Sequence, residues 1–503
     1  MIAKLQLRFM VSGKQLENIL HEGIEHNNNE MKRFLSEFNR DSLFSAWRTF
    51  IQQLEEFINV FYEFSHAEKA TFSDTYMAEA FQTSDANMKP LMDLVCSHFG
   101  EDVARRFFDF VSMYARTSFY CFQRQSLYFK PFVTIGDLFD YCCQRRLHYM
   151  TVFSLIPLYA KGSRQISSNQ VMPMFVDCVE RILCGNTGAC HAMIETRCLS
   201  DFAAKVHLYG LEYTNAYSPL ESVFLEPVRM SELDLLECNP RLDKSRLRTK
   251  KTYTLYSSEE LDAHLFNTPI YYEKYGLSDN VLYKELVAFV QDMRQYFIDD
   301  YQIRLADKDF QSLKSKYPRV EFYKDLTDMF DLQNSRYALV RNGSYYYSTF
   351  FMLIRFYFNY TQRILRRNRT FQIDSGFIFE KKAIAIVEKY GFKYHPECKR
   401  IMHKEFDVVC TKDNRIYNFQ CKNNYFDVTS IDADRVNVSA RYHRTFSRYY
   451  DRALQNEYDR EQYLKDFLHI DDIQHYVISR FPVITSNPSV IPFNKFEEII
   501  KAL

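Results

Sequence analysis

Four polar residues in the last quarter of the chain, Glu380, Asp407, Gln420 and Lys422, have the types needed to hold a hard cation beside a phosphate. A carboxylate such as Asp407 supplies the principal ligand to an oxygen-loving ion, and an amide or carbonyl oxygen can add another. A lysine alongside can orient a nucleophile or stabilise the charge that builds on a pentavalent phosphorus. The cation neutralises the phosphate and lowers the pKa of an attacking water. Together these are the parts of a phosphodiester hydrolase. Taken alone, an Asp followed thirteen residues later by Gln-x-Lys is a pattern that chance supplies often. A hairpin with polar residues on its wet face would show it too.

The elements around these residues decide whether they can meet. Glu405–Cys410 reads as a strand, Thr411–Asn414 as a turn and Arg415–Lys422 as a second strand, which makes a hairpin. With a period of two, Ile416, Asn418, Gln420 and Lys422 share one face, while Tyr417, Phe419 and Cys421 share the other. Asp407 at the hairpin mouth can then converge on Gln420 and Lys422. Upstream, Gly376–Gly391 reads as a helix with Phe377, Glu380, Ala383, Ile384 and Val387 on one face and Gly391 at its C-terminal cap. An unpaired buried carboxylate costs several kcal/mol. Glu380 must therefore face a cation, a metal or a donor network, or sit at the edge of the face and reach solvent. A short strand at Phe392–His395, a further one at His475–Val483 and a closing helix at Phe493–Ile500 complete an α/β pattern.

This order of a helix with a lone glutamate, a strand with Asp and a strand with Gln-x-Lys resembles the core of the PD-(D/E)xK nuclease superfamily, the restriction-endonuclease-like fold. The nearest likeness is to its Mrr-type branch, in which glutamine commonly replaces the last acidic residue. The matching stretches are Phe379-Glu380, Glu405-Phe406-Asp407 and Phe419-Gln420-Cys421-Lys422, within about a quarter of the chain. The resemblance implies a central mixed sheet, Asp407 and Gln420 at a Mg²⁺ or Mn²⁺ ion, Lys422 as the catalytic lysine and Glu380 as the helix glutamate that completes the site. It implies an endonuclease acting on DNA ahead of RNA, and by family analogy a role in defence against foreign DNA. A double-strand break by simultaneous cuts needs two sites, which suggests a homodimer. Gln420 departs from the acidic pattern and carries no charge. That leaves a second reading open, a nuclease fold kept as a nucleic-acid-binding or scaffold module without catalysis. A third is a helical interaction protein whose hairpin matches by accident.

Arg441, Arg444, Arg448 and Arg452 recur every three or four residues and set a ridge of guanidinium groups on one helical face, with Tyr442, Tyr449 and Tyr450 nearby. Such a ridge can track a phosphate backbone while the rings stack on unpaired bases. Alternatively, it is a solvated face paired with Asp451, Glu457 and Asp459.

The rest of the chain is read for organisation. A length of 503 residues implies two to four domains. We expect a helical domain over 1–240, a second helical region over 241–370 behind a basic linker at Asn239–Thr252, and the α/β domain over 371–503. Only 12 glycines and 13 prolines against 17% aromatic residues favour long packed helices in the first two thirds. Leu43–Phe64 and Val103–Phe122 show them most clearly, and Lys284–Tyr301 and Phe322–Tyr337 repeat the period. The stretch from Tyr345 to Phe358 reads as a buried helix, too short and tyrosine-rich to span a bilayer. A formal net charge of zero counts mildly against a nucleic-acid coat protein and leaves room for an enzyme with a local basic groove. The 12 cysteines contain no Cys-x-x-Cys pair, and Cys184, Cys190, His191 and Cys198 fit no common zinc template. Reduced thiols and no signal peptide predict a soluble cytoplasmic protein without a membrane partner.

Overall fold

The computed structural model describes residues 9–77, 88–123, 132–207, 210–217, 242–249, 251–325, 337–424 and 436–503. Most of the N-terminal stretch, the linker up to 241, Lys250 and residues 326–336 of the fourth expected helix lie outside these. The chain forms two compact units, both discontinuous in sequence. One comprises Ile24–Thr187 and Leu225–Leu365, and the other Met1–Gly23, Gly188–Phe224 and Arg366–Leu503.

The first unit is mainly helical, as the scarcity of breakers predicts. Its helix Arg40–Glu63 starts where Asn39 accepts from the Ser42 N–H, and it buries Phe50, Ile51, Leu54, Phe57 and Ile58 as one stripe. Helix Glu101–Gln123 buries Phe107, Phe110, Val111 and Tyr114. Three expectations fail here. Residues 322–325, the described start of the helix read over Phe322–Tyr337, are not helical. The helix at Lys284–Tyr301 stops at Met293, and Tyr345–Thr349 is a strand, with the buried helix beginning only at Phe350. Tyr345–Thr349 is the centre of a three-stranded antiparallel sheet with Gln302–Ala306 and Val340–Asn342. A Tyr-Tyr-Tyr-Ser-Thr run favours a pleated surface, and Gly343 at φ +63° permits the tight turn before it. The apolar run thus joins two elements of different period.

The second unit holds the α/β pattern. A small antiparallel sheet joins β1 (Phe9–Ser12), β2 (Ala203–His207) and β3 (Gly210–Thr214), with α1 (Gly185–Cys198) before β2. No such strands were expected from the helical reading of the first 240 residues. Then follow α2 (Arg369–Lys389), β4 (Lys393–Tyr394), β5 (Val408–Lys412), β6 (Arg415–Lys422), α3 (Val436–Tyr458), α4 (Glu461–Leu468), β7 (Ile473–Ser479), β8 (Val490–Pro492) and α5 (Phe493–Ala502). The strands form one mixed sheet in the order β8-β7-β6-β5-β4. β4, β5 and β6 are antiparallel neighbours, while β6, β7 and β8 run parallel.

The hairpin turns on Asp413 and Asn414, at φ +50° and +59°, and Lys412 pairs with Arg415. This is a tighter turn than the four residues expected, and Asp and Asn tolerate the left-handed backbone it needs. Alternation separates the strand faces as predicted. Phe419 and Tyr417 pack with Phe379, Ala383 and Val387 of α2 and Phe496 of α5, while Ile416 packs with Val409 and Leu464 of α4. α2 ends as foreseen: Gly391 adopts φ +82° and Phe392 N–H reaches Val387 C=O. Its apolar face differs from the expected one, because Phe377 is 48% exposed and Phe379 takes its place in the core. Phe377 lies six residues before Ala383, well off that face at 100° per residue, whereas Phe379, Ala383 and Val387 are four apart.

Candidate active site

Asp407 lies just before β5, and the hairpin carries Gln420 and Cys421 of β6 to it. Its Oδ2 accepts from the Gln420 side-chain amide and, at 2.7 Å, from the Cys421 backbone N–H. Among the described residues no hydrogen bond reaches its other oxygen. Burial and then the negative charge of Glu380 raise the Asp407 carboxyl to about 6, against the opposing pull of the Cys421 N–H and Lys422.

Glu380 occupies the flank of α2 and is 15% exposed, and it meets Lys399 Nζ at 2.8 Å. Of the two fates expected for it, the structure gives the cation. Lys399 was not singled out in the sequence. It is held by a loop that sequence periodicity could not show. Residues Pro396–Lys399 form a 3₁₀ turn anchored by buried Cys398, and Lys399 C=O accepts from Phe406 N–H at 3.1 Å. A two-residue ribbon, Arg400–Ile401 against Lys404–Glu405, reverses the chain through Met402 and His403, both at positive φ. Burial pulls the Lys399 ammonium pKa down, but the Glu380 hydrogen bond and charge outweigh it and leave it raised.

Gln420 is fixed from its other side. Arg460 Nη2 donates to Gln420 Oε1 at 3.1 Å, and Arg460 is paired with Glu457 on α3. Since guanidinium only donates, the amide oxygen must face Arg460 and the amino group must face Asp407. Beneath it, Asn418 donates to Glu457 Oε2 at 2.7 Å and lies 3.1 Å from His475 Nδ1, whose Nε2 is 3.1 Å from Glu461. This polar layer between β6, β7 and α3 was missed apart from Gln420. Its one signal was that Asn418 and Gln420 alternate inside a strand flanked on both sides, where polar groups need partners.

Lys422 ends β6, with its ammonium 5.6 Å from the centre of the Tyr449 ring on α3. The strand end is tied down by Asn423, which donates to Ser375 Oγ of α2 at 2.8 Å and accepts from Arg480 at 2.8 Å. Arg441, Arg444, Arg448 and Arg452 are all exposed along α3. Of the acids that might have paired with them, Glu457 is taken by Arg460, while Asp451 and Asp459 accept from the neutral amides of Asn487 and Gln455 and keep their charge; among the described residues none forms an ion pair with the four arginines. Among the described residues no group of three or more His, Cys, Asp and Glu side chains is assembled for a metal, at Cys184–Cys198 or elsewhere. No helix among them is long and apolar enough to cross a membrane.

No family model matches the chain, and no curated protein or solved structure matches it either.

The raised Asp407 carboxyl predicts its own stability cost. Below about pH 4 the group is neutral in folded and unfolded chains alike; between about pH 4 and 6 only the unfolded chain ionises, so stability falls across that window and stays lower above it. Two pKa units correspond to about 3 kcal/mol as an upper figure. Asp407→Asn keeps an acceptor for the Cys421 and Gln420 donors and removes the charge. In EDTA it should therefore melt higher than the natural chain at pH 7.5, and the gap should close by pH 4. A variant that melts lower at pH 7.5 would show that the carboxylate is net stabilising there.

Proposed function

We propose that the chain is a divalent-metal-dependent nuclease acting on DNA in preference to RNA, with its site at Asp407, Glu380 and Lys422. The observation that carries this reading is Asp407 held by the hairpin against Gln420 and the Cys421 N–H at one end of a mixed sheet, with Lys422 at the same strand end beside the Tyr449 ring of an arginine-lined helix and the Glu380–Lys399 pair on α2. The donor set fits a hard cation: magnesium commonly takes one or two carboxylates and keeps several waters. Asp407 and Glu380 would hold the ion, Glu380 only by giving up its 2.8 Å ion pair with Lys399 and Gln420 only by turning its oxygen away from Arg460. When bound, the ion neutralises a phosphate and acidifies a water. The protein's own groups do the remainder. Lys422 stabilises charge on the phosphoryl oxygens, the Arg460–Gln420 contact holds Asp407 in place, and the α3 arginines grip the flanking phosphates.

The test is incubation of the purified chain with supercoiled plasmid, single-stranded DNA and single-stranded RNA in magnesium, manganese or EDTA. Cleavage in either metal and none in EDTA is the expected result. The binding-module reading is favoured by the orientation of Gln420, which offers Asp407 an amino group. Retention of nucleic acid with no cutting in any metal, and no rise in melting temperature on adding manganese, would establish that reading and end the catalytic one. A homodimer stays part of the proposal only if cleavage of duplex produces double-strand breaks.

A further inference from the structure

We infer that the outer face of α3 is a track for single-stranded nucleic acid, which delivers an unpaired strand to the Lys422 end of the site. The inference rests on the nuclease reading for its destination, and on separate observations for the track.

At 100° per residue, Arg441, Arg444, Arg448 and Arg452 fall within an arc of about 80° on the helix. The opposite side, through Ala440, His443, Tyr450, Ala453, Leu454 and Glu457, is buried. The arginines are therefore held outward by the packing. Arg444, Arg448 and Arg452 succeed one another at about 6 Å of helix rise, a step on the scale of one extended nucleotide. Among the described residues none of the four arginines forms an ion pair with an acid, so their charges stay open to a ligand although the chain is neutral overall.

Beside this arc stand Tyr442 and Tyr449, seven residues apart on one side of the helix and 51% and 46% exposed. Rings of this size are usually covered, and a pair in line with a cationic strip suits a ligand with both charge and flat apolar faces. Nucleic acid provides both, but only when its bases are unpaired, because a duplex hides the faces in its stack. The Tyr449 ring also sits under Lys422, so the last ring of the track adjoins the site.

The experiment uses the full chain in EDTA, where the metal-dependent reaction cannot run, and fluorescence anisotropy with a labelled 20-nucleotide oligothymidine and a 20-base-pair duplex. We expect tighter binding of the single strand. Tyr442→Ala with Tyr449→Ala should weaken it about tenfold or more per ring, with the loss confined to the single-stranded probe. Arg444→Gln with Arg448→Gln should weaken both probes and flatten the salt dependence by about 0.7 per lost phosphate contact on the single strand. All four positions are exposed, so the variants should keep the parent circular dichroism spectrum and melting temperature. Equal binding of both probes, indifference to the tyrosine changes, or no binding of either probe would overturn the track. Binding as described without cleavage in the metal assay would instead remove the nuclease and leave the track standing.

Discussion

Lys422→Met should lower the single-turnover rate of DNA cleavage by about 10² to 10³, with little change in the affinity for substrate. That magnitude is typical of removing one charged or hydrogen-bonding group aimed at a developing oxyanion. Methionine keeps most of the apolar stem that carries the ammonium toward Tyr449 and deletes only the charge, so the strand end should stay where Asn423 and Arg480 tie it. An interaction formed only in the transition state appears as a fall in rate at saturating DNA. The arginines of α3 make the contrast. Arg448→Met should raise the DNA concentration needed for half-maximal rate and leave the saturated rate alone, since its contact with backbone phosphate is the same before and during reaction. If Lys422→Met cuts at the parental rate, or if it loses affinity and rate in the manner of the α3 variants, Lys422 is a binding residue and the chemistry must be assigned elsewhere. Arginine at 422 should not restore the rate, because a planar fork does not place its charge where a compact ammonium sits.

Much of this corner was legible from residue pattern because its parts are local. The alternation along β6 and the Gly391 cap each depend on a few neighbouring residues and form as read, while the turn, read over Thr411–Asn414, closes on Asp413 and Asn414 alone. Asp407 meets Gln420 because a tight hairpin leaves no other register. What was not legible depends on partners far along the chain. Lys399 reaches Glu380 through a turn anchored by a buried cysteine and a ribbon with two residues at positive φ, none of which has a period. Arg460 fixes Gln420 from beyond the end of α3, forty residues away. The misplaced Phe377 shows a subtler limit. Several choices of apolar residue fit one helical stripe, and only the strand packed against α2 decides that Phe379 faces inward. In the first unit the aromatic run at Tyr345 was ambiguous between periods, and pairing with Gln302–Ala306 resolved it as strand.

The largest effect on stability is expected in the first unit, at Glu55. Its carboxylate is shared by two arginines from other helices: Arg146, whose Nε lies 2.8 Å from Oε1, and Arg355, whose Nη2 lies 3.0 Å from the same oxygen. The three side chains are 1%, 2% and 4% exposed. Glu55→Gln keeps the shape and removes a buried charge that offsets two buried guanidinium groups, which should cost about 3–5 kcal/mol. That is a large share of the 5–15 kcal/mol that holds a typical domain together. The chain's only tryptophan, Trp47, is buried in the same unit and donates to Tyr149 C=O at 3.0 Å, so its fluorescence in urea reports this transition directly. Glu37→Gln serves as the comparison. Its pair with Arg164 is half exposed on both sides, and its loss should cost under about 1 kcal/mol. Equal shifts for the two variants would mean that the buried cluster is as well solvated as the surface pair. Replacing the cluster as a whole, with Glu55→Leu, Arg146→Met and Arg355→Met, should recover most of the loss, because desolvation of three ions offsets much of their attraction. The damage in Glu55→Gln therefore comes from the arginines left behind, not from the strength of the bridge itself.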